Sequence, residues 1–178
     1  MYARKGVLPV AFAVLVAAPA LAQPAAAPAP LAPGTAAPAV WLLVNGKRAP
    51  LKAFLAGNRN LILLYPAACG GACDSALQTI DKSLIQQLDK RGVAVFGATP
   101  DAPGDIAKTA GRLGLTYPVF SDPQGAALKA FHTANAPRAY LLDHEGVIRA
   151  GFGPGQTALS ASGILAAVRT LKKRPHER

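Results

Sequence analysis

The spacing of apolar residues changes period several times along the chain, and each change marks an element. Leu61, Ile62, Leu63, Leu64 and Tyr65 run without a polar break and stop at Pro66, which predicts a strand covered on both faces, as in a parallel or mixed sheet between helices. Beyond Cys73 the period becomes helical. Leu77, Ile80, Leu84 and Leu88 recur every three or four residues among Asp, Lys and Gln, predicting one long amphipathic helix that runs to about Arg91 and is closed by Gly92. Upstream, residues 40–44 read as a short strand, Asn45-Gly46 as a hairpin turn, residues 47–49 as its return and residues 51–55 as a helical turn. Downstream come a second buried strand over residues 93–98, a polar loop over 99–103, and a short helix over 105–113 built on Ile106, Ala110 and Leu113 and closed by Gly114. Tyr117 to Phe120 leads into a turn over residues 121–125, and a helix follows to about Phe131. Residues 139–143 and 147–152 predict an antiparallel hairpin around His144-Glu145-Gly146, and Thr157 or Ser160 caps a last helix with Ile164, Val168 and Leu171 inward. Alternating strands and helices that finish on a hairpin and a helix predict an α/β three-layer sandwich, a central mixed sheet with helices on both faces.

The first 22 residues do not fit that pattern. Arg4 and Lys5, an apolar run from Val7 to Val16, and the small residues Ala20-Leu21-Ala22 follow one another in the order of a secretory signal peptide. The expected division is a signal peptide over 1–22, an Ala/Pro-rich linker over 23–38 acting as a flexible tether, and one domain over 39–178. Export to a bacterial periplasm is the expectation, with no stable membrane span after cleavage, in a compartment where disulfides persist. The net charge is +10, or +8 without Arg4 and Lys5. Apart from the adjacent pairs Lys47-Arg48 and Lys90-Arg91, basic residues are scattered singly until Lys172-Lys173-Arg174, with no aromatic stripe between them, so nucleic acid is not an expected partner.

The chain holds two cysteines, Cys69 and Cys73, flanking Gly70-Gly71 between the apolar strand and the helix. Unpaired N–H groups and the positive dipole end at a helix start favour a thiolate over a thiol. Asp74 is expected to complement the same dipole, and Asp101 and Asp122 to form turns. Ser160, Ser162 and the three His make no nucleophile and base arrangement, and no phosphate-binding glycine loop is present.

At these residues the chain resembles the thioredoxin fold, in its redoxin branch, the alkyl hydroperoxide reductase/thiol-specific antioxidant family. The resemblance rests on Trp41 to Lys47, Tyr65-Pro66 with Cys73, Phe96 to Asp101, Tyr117 to Pro123, and Ala136-Pro137-Arg138-Ala139-Tyr140-Leu141-Leu142-Asp143 with Gly146. It covers about residues 38 to 155 and implies a thioredoxin-like three-layer sandwich and thiol-based chemistry. Three chemistries share that site. Peroxiredoxins carry Pro-x-x-x-Thr/Ser-x-x-Cys; Pro66 and Cys73 match its ends, but Gly70 stands at the hydroxyl position. Pro137 stands at the position of the activating Arg, with Arg138 one place later. Thioredoxin-like reductases place a cis proline opposite two cysteines, and Pro137 falls on that proline. Were both cysteines helical, their Cβ atoms would lie about 5–6 Å apart, beyond the roughly 3.5–4.5 Å of a disulfide. Cys69 must then precede the helix, which Gly70 and Gly71 permit. Sco-type copper donors share the Cys-x-x-x-Cys spacing and add a His near the closing hairpin, where His132 is the nearest.

The reading that follows is an exported thiol-disulfide oxidoreductase that cycles a Cys69–Cys73 dithiol/disulfide, with Cys69 attacking, Cys73 resolving and Pro137 shaping the substrate groove. Its expected partners are protein or small-molecule disulfides and thiols and an electron-donor thiol protein, and no cofactor is expected. The alternatives are a thiol peroxidase using Cys73, with Arg138 reaching over it, and a copper-binding protein using Cys69, Cys73 and His132.

Overall fold

The structure, a computed structural model, describes residues 29–67, 70–133 and 136–171. The expected signal peptide and residues 23–28 lie outside the described residues. Seven strands form one mixed sheet in the order β2-β1-β5-β4-β3-β6-β7. They are β1 (Trp41–Val44), β2 (Lys47–Pro50), β3 (Arg59–Leu64), β4 (Val93–Thr99), β5 (Val119–Ser121), β6 (Arg138–Leu142) and β7 (Ile148–Phe152). β3 pairs parallel with β4 and antiparallel with β6, and β4 pairs parallel with β5. The helices are α1 (Leu51–Leu55), α2 (Gly70–Thr79), α3 (Lys82–Asp89), α4 (Pro103–Leu113), α5 (Ala126–Ala130) and α6 (Ala161–Thr170).

Alternation along β3 divides the core into two. Leu61, Leu63 and Tyr65 pack with Cys73, Leu77 and Leu84 under α2, α3 and α6. Ile62 and Leu64 pack with Leu51, Leu128 and Phe131 under α1 and α5. All six residues of β3 are buried; the unbroken apolar run predicts this for Leu61–Leu64 but not for Arg59 and Asn60, which extend the strand. Asn45 and Gly46 both take positive φ, 49° and 77°, the pair of left-handed residues that a tight type I′ hairpin needs.

Three expectations need correction. The long helix is two: Asp81 accepts the Leu84 N–H at 2.7 Å and caps α3 anew. Leu77, Ile80, Leu84 and Leu88 are all buried across the break, so apolar periodicity alone passes over it. Residues 119–121, read as part of a lead into a turn, form β5, which bridges β4 and β1. The end of the expected tether is not loose. Gly34 donates to the Ile148 carbonyl at 2.7 Å, Ile148 to Thr35 at 2.8 Å and Ala37 to Gly146 at 2.8 Å, while Leu31 packs on the α1/α5 core. An Ala/Pro composition removes side-chain contacts but leaves carbonyls and N–H groups that the edge strand β7 can use.

The β6–β7 turn is fastened by Asp143. Its Oδ1 accepts from Glu145 at 2.9 Å and Val147 at 3.0 Å, and its Oδ2 from Arg149 at 2.6 Å. Burial pushes this carboxyl's pKa up, but the Val147 N–H, Arg149 and the Glu145 N–H together outweigh it and hold the group below the ordinary value. A native pKa below the unfolded one gives stability that is present above the unfolded value and lost as pH falls through the native one. Asp143→Asn therefore lowers the urea midpoint at neutral pH and flattens its decline between about pH 5 and pH 2, read from midpoints at each pH.

Candidate active site

Cys73 is the fourth residue of α2, 4 % exposed and disulfide-bonded. The only other cysteine of the sequence is Cys69, just before α2 and outside the described residues. Cys73 sits in a cleft of about 240 Å³ at the C-terminal end of β3, together with Tyr65, Pro66, Asp74, Asp101 and Arg112 among others. Gly70 opens α2 with φ 62°, a left-handed conformation that favours glycine. A Thr or Ser there would be strained, which accounts locally for the missing hydroxyl.

Tyr65 lines the cleft with Cys73, and Tyr117 belongs to the same buried core. Burial raises the Tyr65 pKa, and the Asp101 charge raises it further; burial and the nearby Tyr65 raise Tyr117 likewise. Both stay protonated at neutral pH. Tyr117 donates its hydroxyl proton to the Leu77 carbonyl at 3.3 Å, tying the C-terminal half of α2 to the segment that leads into β5. Asp101 is held by Thr99, whose hydroxyl donates to its Oδ2 at 3.1 Å, and its carbonyl accepts from Ser121 at 2.8 Å.

Arg112 of α4 donates to both carboxylate oxygens of Asp74, at 2.7 and 2.8 Å, across the cleft mouth. The hydrogen bond from Arg112, helped by its charge, holds the Asp74 carboxyl below its usual range. Asp74 is thus a clip between α2 and α4. The expected partnership with the helix dipole fails because α2 starts at Gly70, leaving Asp74 past the first turn.

The other candidates are placed elsewhere. Arg138 is buried, on the opposite face from Cys73: it pairs with Leu64 and shares its side of β6 with Tyr140, both on the α1/α5 side. There its Nη1 donates to Gln156 at 3.3 Å and its side chain bonds to the Tyr140 hydroxyl. Pro137 has the parity of Ala139 and Leu141, which face the cysteine side. No cis peptide bond occurs among the described residues, so the cis bond implied for Pro137 is not found. A Cβ on Gly153, at φ 127°, would approach the Pro137 carbonyl to 2.8 Å; glycine lets β7 close against this strand entry. His132 follows α5, which packs under the opposite face, and its Nδ1 lies 2.7 Å from the Ala29 carbonyl. The structure does not bring His132 to Cys73. Among the described residues no three His, Cys, Asp or Glu side chains could hold a metal ion.

Nothing in the sequence singles out Arg112, and Asp101 reads there only as a turn residue. Arg112 is an exposed helix cation whose partner lies 38 residues away, and no local spacing signals such a pair.

The family model for the AhpC/TSA family matches residues 33–151. The chain belongs to the AhpC/TSA family. A Mycobacterium tuberculosis protein provisionally named peroxiredoxin Rv2521 is 32 % identical over 97 residues, 54 % of this chain. That match spans 60 % of the relative's own length. Among solved structures, peroxidoxin BcpB of Mycobacterium tuberculosis superposes with TM-score 0.66 at 18 % identity, covering 79 % of this chain and 98 % of that one. A Chlorobium tepidum protein provisionally named thiol:disulfide interchange protein DsbE gives 0.62 at 22 %, covering 78 % and 99 %. At these identities the two structures establish the thioredoxin-like fold, as the strand order does.

Proposed function

We propose that this redoxin is an exported thiol-disulfide oxidoreductase that cycles Cys69 and Cys73 between dithiol and disulfide. The observation that carries the reading is the state and burial of Cys73: bonded to sulfur and 4 % exposed, it is suited to react with a neighbouring sulfur. In the reductive direction the Cys69 thiolate attacks a substrate disulfide and expels one substrate thiolate, which takes up a proton. The Cys73 thiolate then attacks Cys69 in the mixed disulfide, releasing the second substrate thiol and closing the intramolecular disulfide. Two electrons pass to the substrate, and a donor thiol protein returns them by the reverse exchange. Export rests on the signal-like pattern of residues 1–22.

Peroxide reduction by Cys73 is the second reading, favoured by the family and by the names of its relatives. It lacks the expected helpers. Gly70 offers no hydroxyl, and Arg138 is engaged with Gln156 and Tyr140 on the other face. Arg138→Gln separates the two: disulfide exchange stays within about threefold of the parent, since no charge near the sulfur is removed. A collapse of peroxide consumption by a hundredfold or so, the loss expected on removing a donor that stabilises the reacting charge, would show that Arg138 serves a peroxidase.

A further inference from the structure

The pole opposite the cysteines carries a concave cluster of cations. A cleft of about 530 Å³ is lined by Arg59, Lys90, Arg91, Gly92, Val168, Arg169 and Leu171. Among the described residues that line it, four are cationic and none is acidic, and Val168 and Leu171 add apolar surface. Arg59 opens β3 and Gly92 immediately precedes β4, so the cleft lies at the N-terminal ends of the strands. The cysteine turn follows the other end of β3, about 20 Å away.

Cations near helix C-termini also complement helix dipoles, and part of the cluster does this. Arg59 Nη1 donates to the Arg91 carbonyl at 3.0 Å, and Arg91 Nη1 to the Gln87 carbonyl at 2.8 Å. These bonds orient two guanidinium groups on the ends of α3 and β3. They leave the side chains of Lys90 and Arg169, which make no hydrogen bond or ion pair among the described residues. Like charges gathered in a concavity repel one another, and an anion between them relieves the repulsion. Planar guanidinium forks match phosphate oxygens, and a cleft of this volume is of small-ligand size.

We propose that this cleft binds a phosphate-bearing anion, either a phospholipid headgroup or a soluble phosphate ester. A headgroup bound there would turn the cysteine end away from the membrane. The test uses the protein purified from an exporting host as the cell processes it, with two probes. One is phosphatidylcholine vesicles with or without a quarter of phosphatidylglycerol; the other is glycerol phosphate, followed by calorimetry. The Lys90→Gln, Arg169→Gln double variant is compared with Lys47→Gln, Arg48→Gln, an equal charge change on β2. Loss of about 30-fold in vesicle affinity for the cleft pair, against less than threefold for the β2 pair, supports the site and assigns it to lipid. Cleft-dependent binding of glycerol phosphate alone supports the site and assigns it to a soluble ester. Equal losses in the two double variants, or no binding of either probe, overturn the proposal. Disulfide exchange, measured in the same preparations, stays at the parent rate and shows that the variants are folded.

Discussion

Cys69→Ser and Cys73→Ser both lose catalytic turnover to the uncatalysed background, but by different routes. Without Cys73, the Cys69 thiolate still attacks oxidised glutathione, yet nothing resolves the product, and one glutathione remains bound through a mixed disulfide. Without Cys69, the remaining sulfur is 4 % exposed in the cleft beside Tyr65 and Leu77, and adduct formation is slow. Intact mass after a short exposure separates the two variants: an added glutathione in Cys73→Ser and the unchanged mass in Cys69→Ser. The opposite pattern would make Cys73 the attacking sulfur and reverse the order of steps proposed here.

The second large effect is on stability. Leu77 is 1 % exposed, lines the cleft beside Cys73 and packs against the β3 face of the core. Leu77→Ala removes buried methyl groups and leaves a cavity under α2, costing about 2–5 kcal/mol. The helix that carries Cys73 then has less to hold it on the sheet. The expected result is a lower urea midpoint at unchanged slope, together with faster alkylation of the reduced Cys73 thiol under native conditions. Arg112→Ala makes a useful contrast. It breaks an exposed ion pair, which contributes little to global stability, so its urea midpoint stays near the parent value. A loss in Arg112→Ala as large as that in Leu77→Ala would mean that the clip to α4, and not the core, holds α2 in place.

Much of the fold was legible because its strongest signals are local. The unbroken apolar run of β3, the Asn45-Gly46 turn and the Ser160 cap, whose hydroxyl accepts the Gly163 N–H at 3.2 Å, follow from residues a few positions apart. The division between α2 and α3 was harder, since both helices bury one continuous stripe and only the Asp81 cap marks the break. β5 has three residues and depends on neighbours from β4 and β1, so its own sequence carries little of the signal. The site divides in the same way. The place of Cys73 near the start of the helix after β3 could be read from the change of period, whereas Arg112 and Arg138 are placed by long-range pairing. One residue of register decides the matter for Arg138: alternation along β6 puts residue 138 with Tyr140 and away from the sulfur.

Whether this site exchanges disulfides in preference to reducing peroxide is tested by one paired titration. The reduced protein is mixed with equimolar oxidised glutathione and, separately, with equimolar hydrogen peroxide, while free thiols and intact mass are followed in time. Glutathione disulfide is expected to remove both thiols first, through a transient mixed disulfide, and to leave a protein lighter by two hydrogens. Loss of both thiols to peroxide within seconds, with glutathione lagging, would contradict the preference for disulfide exchange.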